Sequence, residues 1–294
     1  MPLCNMKISS LFKQGRPVFS FEIFPPKKNG SIEAVYNTLD ELTDLKPDFI
    51  SVTYGAGGNT PVGCSTREIV CIIKEKYHTE SIAHLTCVNS TREDIDRVIG
   101  EFESCGIENV LALRGDINPD IPPKEDFRHA SELIAYMKQR SGLSFSGACY
   151  PEGHTEANSL EEDIENLKKK VDAGAEHLIS QLFFDNDHFY EFMDKARAAG
   201  IDVPIEAGIM PCVNASQIQR MVTMCGASLP PKFTKIMARY ENNPEAMRDA
   251  GIAYAIDQII DLAANGVDGI HLYTMNNPYV ARKISKSVES VLLG

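Results

Sequence analysis

Polar and ionisable side chains recur at the carboxyl ends of the apolar, strand-like segments of this sequence. The first is Glu22, near the end of a run that Pro25 and Pro26 terminate, because proline has no N–H for a sheet ladder. Carboxylates and histidines at such positions can transfer protons, and an arginine can bind an anion. The other segments end with Thr53 and Tyr54, His84 and Thr86, Arg114 and Asp116, Tyr150, Glu152 and His154, Gln181 and Asp185, Glu206, and His271, Tyr273 and Asn276.

Each of these residues, taken singly, has a structural explanation. His84 could be a core histidine bonded to a backbone carbonyl, and Arg114 with Asp116 could be a local ion pair, because buried polar groups are usually satisfied within the structure. Their occurrence at all eight segment ends is harder to explain in this way. The pattern therefore predicts that the strand ends converge on the mouth of an active site.

The first strand illustrates how the sequence positions such a residue. Side chains of a strand alternate between its two faces, so Ser20 and Glu22 are predicted to share one face. Phe19, Phe21 and Ile23 then share the other face. Glu22 is thus expected at the carboxyl-terminal lip of a buried strand.

Strand-like segments alternate with amphipathic segments along the chain. Strands are predicted at residues 18–24, 48–54, 81–88, 108–114, 145–150, 176–183, 202–209 and 268–274. Helices are predicted at residues 31–45, 65–76, 90–105, 128–140, 159–173, 186–199, 245–264 and 278–293, with a further helical region that includes residues 230–231. Three helices begin with the S-x-x-E spacing of a capping box, at Ser65 and Glu68, Ser90 and Glu93, and Ser159 and Glu162.

Eight strands separated by helical crossovers predict an α/β protein, a single-domain (β/α)8 TIM barrel over residues 1–294. A doubly wound open sheet is the alternative, and the loop Gly55 to Thr60 invites it. The third glycine of the dinucleotide-binding fingerprint is missing, because Thr60 occupies its place. The barrel is therefore favoured, with this loop allowing the backbone to approach a ligand.

Composition restricts the class of partner. Of the 294 residues 43% are hydrophobic and the formal net charge is −12, which disfavours nucleic acid, because its binders need a basic face. No apolar run approaches the roughly 20 residues that span a bilayer, so no membrane association and a cytoplasmic location are expected. The eight cysteines form no C-x-x-C pair, so no metal site is predicted. A small-molecule substrate is favoured.

Seven short segments, in order along the chain, are similar to motifs of the methylenetetrahydrofolate reductase family. They are FEIFPP at 21–26, SVTYGA at 51–56, HLTC at 84–87, NVLALRGD at 109–116, YPEGH at 150–154, KKKVDAGA at 168–175 and QLFFD at 181–185. The resemblance implies a bacterial-type catalytic barrel without the regulatory extension of eukaryotic members. It also implies FAD as cofactor, reduction of 5,10-methylenetetrahydrofolate to 5-methyltetrahydrofolate, and a place in one-carbon metabolism and methionine biosynthesis.

The same resemblance assigns roles to individual residues. Opening the five-membered ring of the substrate requires protonation of the departing nitrogen, and Glu22 matches the family's general acid, with Asp116 as the second catalytic carboxylate. Implied cofactor-binding residues are Tyr54, Ala56, His84, Arg114, Gly115, Asp116, Ala130, Tyr150, His154, Ala157, Asp163, Asn166, Lys169 and Lys170. Implied substrate-binding residues are Glu22, Thr53, Asp116, Gln181, Gln217 and Asn277.

Two positions depart from the family pattern. Asn277 stands where members commonly have an arginine associated with folate binding, and Met221 stands where well-known bacterial members have a phenylalanine that stacks on nicotinamide. The expected electron donor is therefore NADH, NADPH or a protein such as ferredoxin, with a preference that differs from that of a simple NADH-using reductase. A homo-oligomer or a complex with a partner subunit is also expected.

Two other functions are compatible with the barrel. One is a different barrel flavoenzyme of the proline dehydrogenase type. The other is a non-catalytic folate-binding subunit of a methyl-transfer complex. The presence of Glu22, Asp116 and Gln181 argues against a silent subunit.

Overall fold

The protein forms a closed barrel of eight parallel strands, each hydrogen-bonded to its neighbours in chain order, with β1 pairing with β8. The computed structural model describes residues 6–26, 31–54, 64–117 and 122–293. The strands are β1 (Val18–Ile23), β2 (Phe49–Val52), β3 (Glu80–Thr86), β4 (Asn109–Leu113), β5 (Ser144–Cys149), β6 (Ala175–Ser180), β7 (Ile205–Ile209) and β8 (Gly269–Tyr273). The predicted (β/α)8 TIM barrel is confirmed, and the open sheet is excluded.

Helices follow the strands and surround the barrel. They are α1 (Ile32–Thr43), α2 (Cys64–Tyr77), α3 (Arg92–Ser104), α4 (Ala130–Lys138), α5 (Leu160–Ala173), α6 (Asn186–Ala198), α7 (Ala215–Cys225), α8 (Pro231–Tyr240), α9 (Pro244–Ala264) and α10 (Pro278–Leu292). A 3-10 helix (Ile8–Lys13) precedes β1. None of the helices in the described residues is long and apolar enough to span a membrane.

The two faces of β1 are occupied as the alternation predicts. Phe19, Phe21 and Ile23 belong to the hydrophobic layer between the strands and the helices. Ser20 bonds to side chains of β7 and β8 inside the barrel, and Glu22 lies on the same inner face. The prediction that Glu22 is carried by a buried strand is therefore correct, since only 7% of it is exposed.

The 3-10 helix covers the amino-terminal end of the barrel. Its Ile8 and Leu11 form one buried hydrophobic cluster with Val18, Phe49 and Ile82 and, further along the barrel interior, with Leu111 and Ile179. The amide of Ile8 donates to Asn109 Oδ1 at 3.0 Å, and Glu176 at the start of β6 accepts from Ser9 and pairs with Lys7. This end of the barrel is therefore filled by apolar side chains and fastened by polar contacts at its edge.

The predicted capping boxes give the correct N-cap residue at one of three places. Ser159 caps α5, accepting from the amide of Glu162 at 3.2 Å, but the Glu162 carboxylate accepts from the amide of Asn158 rather than from that of Ser159, so the box itself is not formed. The cap of α3 is Thr91 rather than Ser90, because Asp94 and Thr91 exchange both hydrogen bonds of the box. Helix α2 begins at Cys64, one residue before the predicted cap Ser65.

The segment between β7 and β8 departs most from the prediction. Strand β7 begins at Ile205 rather than at residue 202, because Pro204 has no N–H to give to the sheet. Three helices, α7, α8 and α9, then precede β8. Helix α9 approaches the end of β7 so closely that a Cβ on Gly251 would lie 1.6 Å from the carbonyl oxygen of Cys212.

Candidate active site

A cavity of about 620 Å³ opens at the carboxyl-terminal end of the barrel, where the strand ends were predicted to converge. Its wall receives residues from all eight strands or from the loops that follow them. Thr86 and Tyr273, predicted at strand ends, line it, and so do ten of the residues given catalytic or binding roles: Glu22, Thr53, Tyr54, His84, Arg114, Gly115, Asp116, Tyr150, His154 and Gln181. Sequence reasoning therefore located the cavity and a large part of its polar lining.

Glu22 lies between two imidazole rings. Its Oε2 is 3.5 Å from Nε2 of His271 and 3.6 Å from Nε2 of His84. The backbone oxygen of Glu22 accepts from the hydroxyl of Thr274 at 2.6 Å, which ties the end of β1 to β8. A buried carboxylate flanked by two nitrogen bases can hold a proton and pass it to a ligand in the cavity.

His84 is held in its neutral form by its surroundings. Burial lowers the pKa of its imidazole from 6.5 to about 4, although the nearby Glu22 raises it and His271 lowers it further. Its Nε2 has no hydrogen-bond partner within the described part of the chain. The ring therefore offers a neutral nitrogen to whatever occupies the cavity.

The burial of His84 predicts that this residue makes the folded protein less stable in acid. The unfolded chain takes up the proton first as the pH falls below 6.5, so stability is lost between pH 6.5 and about 4. A shift of this size corresponds to about 3 kcal/mol. We expect His84→Gln to lack this loss, so that the free energy of unfolding in urea falls less between pH 6.5 and about 4 for the variant than for the wild type. An equal acid loss in both proteins would contradict the assignment.

The turn after β4 places Arg114 and Asp116 on the cavity wall. Gly115 between them has φ +87°, and a Cβ there would lie only 3.0 Å from Cβ of Thr86, so the turn requires glycine. Arg114 forms a bidentate ion pair with Glu156, in which Nη2 is 2.7 Å from Oε1. The hydrogen bond to Glu156 raises the pKa of the guanidinium. Asp116 is exposed at the mouth.

A second polar group lies behind Tyr150. The ring of His154 meets that of Tyr150 edge-on at 4.7 Å, and the amide of His154 donates to Asp163 at 3.2 Å. Lys170 donates to the backbone oxygen of Ala148 at 2.8 Å. Burial lowers the pKa of Lys170 and raises that of Asp163, while their mutual attraction opposes both changes. Predicted cofactor residues of β5 and α5 are thus brought together.

The remaining predicted residues that the structure describes do not line the cavity. Lys169 donates to Asn166 at 2.8 Å on α5, and Asn277 caps α10 by accepting from the amide of Val280 at 3.3 Å. Ala130 opens α4, Ala157 lies in the turn before α5 and Gln217 lies in the first turn of α7. Ala56 lies outside the described residues. The roles predicted for these residues stay predictions.

Several polar residues expected at the rim have other positions. Glu206 is the second residue of β7, fully buried inside the barrel, so its predicted place at the rim is wrong. Glu152 accepts from the amide of Ser228 at 3.0 Å, and Asp185 caps α6. Asn276 bridges the backbone N–H and oxygen of Phe24.

Other lining residues were not predicted as part of the site. Many are apolar or follow a strand directly: Phe24, Val88, Asn89, Ser90, Leu111, Leu113, Ile117, Ala148, Ile179, Ser180, Leu182 and Met210. The period-two pattern places Leu111, Leu113 and Ile179 on inner faces, but it does not show how deep the cavity reaches. Among the described residues, no cluster of histidine, cysteine, aspartate and glutamate is arranged to hold a metal ion.

The sequence matches the model of one protein family, methylenetetrahydrofolate reductase, over residues 7–289. A 5,10-methylenetetrahydrofolate reductase of Pectobacterium carotovorum is 39% identical over 272 residues, covering 92% of this chain and 89% of that protein. The Escherichia coli protein of the same name is 36% identical over 263 residues, covering 90% of this chain and 88% of its own length.

A plant relative and a solved structure extend the comparison. Methylenetetrahydrofolate reductase (NADH) 1 of Arabidopsis thaliana is 36% identical, and the match covers 92% of this chain but 48% of the plant protein. A Clostridium thermocellum protein described as binding two copies of 5-methyl-5,6,7,8-tetrahydrofolic acid has the same fold, with a TM-score of 0.66 at 13% identity over 95% of this chain and 96% of that one. The chain therefore belongs to the methylenetetrahydrofolate reductase family.

Proposed function

We propose that this protein is an FAD-dependent oxidoreductase that reduces 5,10-methylenetetrahydrofolate to 5-methyltetrahydrofolate. Glu22 is the general acid that protonates the folate nitrogen as the five-membered ring opens. The observation that carries the proposal is the position of this carboxylate, buried between two imidazoles and facing the cavity of a chain that belongs to this family.

The residues around the cavity fit a flavin. The backbone at Gly115 has no side chain to keep a ligand away, and its turn is compatible only with glycine. Leu111 and Leu113 supply apolar surface, and Arg114 supplies a guanidinium on the cavity wall, while Lys170 donates to the backbone of Ala148 behind it. The residues that would hold FAD are Tyr54, His84, Arg114, Gly115, Tyr150 and His154, with Lys169 and Lys170 toward its phosphates. When bound, FAD supplies the hydride that the reaction transfers.

The substrate would be positioned by Gln181 and Asp116. The side-chain oxygen of Gln181 accepts from the amide of Leu182 at 2.8 Å, so its NH2 group is the part that a folate would meet. Asp116 places a carboxylate at the mouth, where it favours a substrate whose reacting carbon becomes electron-poor. Glu22 lies deeper in the cavity, where it would give a proton to the folate. The three side chains line one cavity, which favours an enzyme over a silent binding subunit.

The proposal predicts that the purified protein is yellow and loses its colour when 5-methyltetrahydrofolate is added without oxygen, because the folate reaction then runs in reverse. Absorbance of the flavin measures this, and folic acid, which cannot give up a hydride in the same way, is the control ligand. A colourless protein that binds 5-methyltetrahydrofolate would instead support the folate-binding subunit.

Met221 is the residue from which we expect a difference in electron donor. It lines the cavity, whereas Asn277 is used to cap α10. A phenylalanine at 221 would add a flat stacking surface, worth about 1 kcal/mol. We expect Met221→Phe to raise kcat/KM for NADH by roughly fivefold, with a smaller change for reduced ferredoxin.

Met224→Phe is the control, because residue 224 lies on the same helix with 63% of its surface exposed. Rates with NADH, NADPH and reduced ferredoxin are compared among the three proteins. If the wild type oxidises NADH as fast as Met221→Phe, the methionine is neutral packing and the donor prediction is wrong.

A further inference from the structure

A chain of buried polar side chains runs through the interior of the barrel below Glu22. Glu206 of β7 is at its centre, with Oε1 2.8 Å from the hydroxyl of Ser20 and Oε2 2.9 Å from Nε2 of His177. The same hydroxyl is 2.6 Å from Nδ1 of His271. None of these four residues is more than 1% exposed. The reaction proposed above uses none of them directly.

The hydroxyl of Ser20 fixes where protons lie along this chain. An ionised carboxylate only accepts hydrogen bonds, so the single proton of Ser20 must point to Glu206. Ser20 can then only accept from His271, which places a proton on Nδ1 of that ring. The other nitrogen, Nε2, faces Oε2 of Glu22 at 3.5 Å and the hydroxyl of Ser51 at 3.3 Å. This nitrogen is free to share a proton with Glu22.

We propose that Glu206 is a positioning residue for the acid Glu22, acting through Ser20 and His271. It holds His271 with Nδ1 protonated and stabilises a positive charge on that ring, so that Nε2 and Glu22 together keep one transferable proton facing the cavity. This inference rests on the proposed function, because it concerns the proton that Glu22 delivers to folate.

Apolar side chains surround Glu206 and its partners, so a charge on Glu206 would act strongly on His271. Phe49 packs against the rings of both His271 and His177, with ring centres 6.2 and 6.1 Å apart, and Phe12 covers His177 at 4.8 Å. Apolar surroundings weaken the screening of a charge. Nε2 of His177 is the hydrogen-bond partner of Oε2 of Glu206, and its Nδ1 is 2.9 Å from the hydroxyl of Ser146. The pairing explains how a carboxylate can be buried here.

The ionisable groups that face Glu22 and His271 are few in the described structure. His84 faces Glu22 from β3, and Tyr273 meets the ring of His271 edge-on at 5.4 Å while donating to the backbone oxygen of Ser180. Burial raises the pKa of Tyr273 and lowers that of His84, so both stay neutral near physiological pH. The charge that tunes the Glu22–His271 pair is therefore that of Glu206.

The transfer uses the one proton that Oε2 of Glu22 and Nε2 of His271 share. It passes from Oε2 to the folate nitrogen and leaves Glu22 as a carboxylate. His271 is then neutral and keeps the proton on Nδ1, which still donates to Ser20. One proton from solvent restores the pair after product leaves.

The first test measures the tautomer of His271. Protein labelled with 15N-histidine gives ring-nitrogen shifts that separate the two tautomers, and His271→Asn assigns the signal. We expect the neutral ring of His271 to carry its proton on Nδ1 in the wild-type protein as purified. A ring protonated only on Nε2 would overturn the proposal, and this result does not depend on any other variant folding.

The second test measures the pH profile of the folate half-reaction. A general acid works only while protonated, so removing the negative charge in Glu206→Gln should move the loss of rate with rising pH to lower pH by about 1 unit. Ser20→Ala, which breaks the connection but keeps the charge, should slow this step with a smaller pH shift. Flavin reduction by the donor should change less than about twofold in both variants.

Glu176→Gln is the matched control. Glu176 is a carboxylate of the neighbouring strand β6, and it accepts hydrogen bonds from Ser9 and Ser144, which do not belong to the buried polar network of Glu206. A profile for Glu206→Gln identical to those of wild type and Glu176→Gln would overturn the proposal. Glu22→Gln separates this outcome from failure of the proposed function: if that variant still reduces folate, Glu22 is not the acid.

Discussion

Replacing Glu22 with glutamine is expected to stop folate reduction while leaving reduction of the flavin by its electron donor nearly intact. Glutamine has almost the same shape, so packing between His84 and His271 is kept. It cannot give a proton to the departing nitrogen, and losing one positioned general acid slows such a step by about 10²-fold or more. The first half-reaction requires no ring opening and so does not need this acid.

Rapid-mixing measurements under anaerobic conditions follow the flavin absorbance separately in each half-reaction. Glu176→Gln, which changes a carboxylate at the opposite end of the barrel, should behave as wild type in both. Equal damage to both half-reactions in Glu22→Gln would contradict its role as an acid and would indicate loss of cofactor geometry.

Replacing Gly251 with alanine is expected to destabilise the protein strongly. The added Cβ would lie 1.6 Å from the carbonyl oxygen of Cys212 and 2.5 Å from its carbonyl carbon, which are backbone atoms that cannot rotate away. Helix α9 or the segment after β7 must then move. Overpacking of this kind usually costs 1–3 kcal/mol, and because backbone is involved we expect about 3 kcal/mol or more. A fall in Tm of roughly 6 °C or more follows.

Gly100→Ala is the matched control. Gly100 is an exposed glycine of α3, and nothing lies within 4 Å of the position of its missing Cβ. Alanine there should raise the free energy of unfolding by about 0.5–1 kcal/mol, since glycine is the poorer helix former. Urea and thermal unfolding of both variants provide the comparison, and a Gly251→Ala protein as stable as wild type would show that the helix can shift freely.

The barrel could be predicted because local signals agree with one another along most of the chain. Alternation in β1 correctly placed Glu22 inside, and Ser159 correctly marked the start of α5. Polar residues at strand ends located the cavity. Each of these signals involves residues that are close together in the sequence, so it can be recognised without the structure.

Depth and long-range pairing could not be predicted. Alternation places Glu206 on an inner face, but only the stagger of β7 against β6 and β8 shows that it lies low in the barrel, level with Ile179 and Gly269. The pairing of Arg114 with Glu156 joins residues 42 positions apart that share no motif spacing. The close contact of Gly251 with Cys212 is likewise visible only after folding.

The covering of the barrel floor by the 3-10 helix affects the timing of catalysis. Ile8 and Leu11 close that end with apolar side chains, so within the described structure the open route from water to Glu22 runs through the cavity mouth. In the proposed reaction, a bound folate would occupy this route. Glu22 would then deliver one proton per turnover and be reprotonated only after the product has left. We therefore expect product release to precede proton uptake, with a solvent isotope effect on the recovery of the enzyme between turnovers rather than on ligand binding.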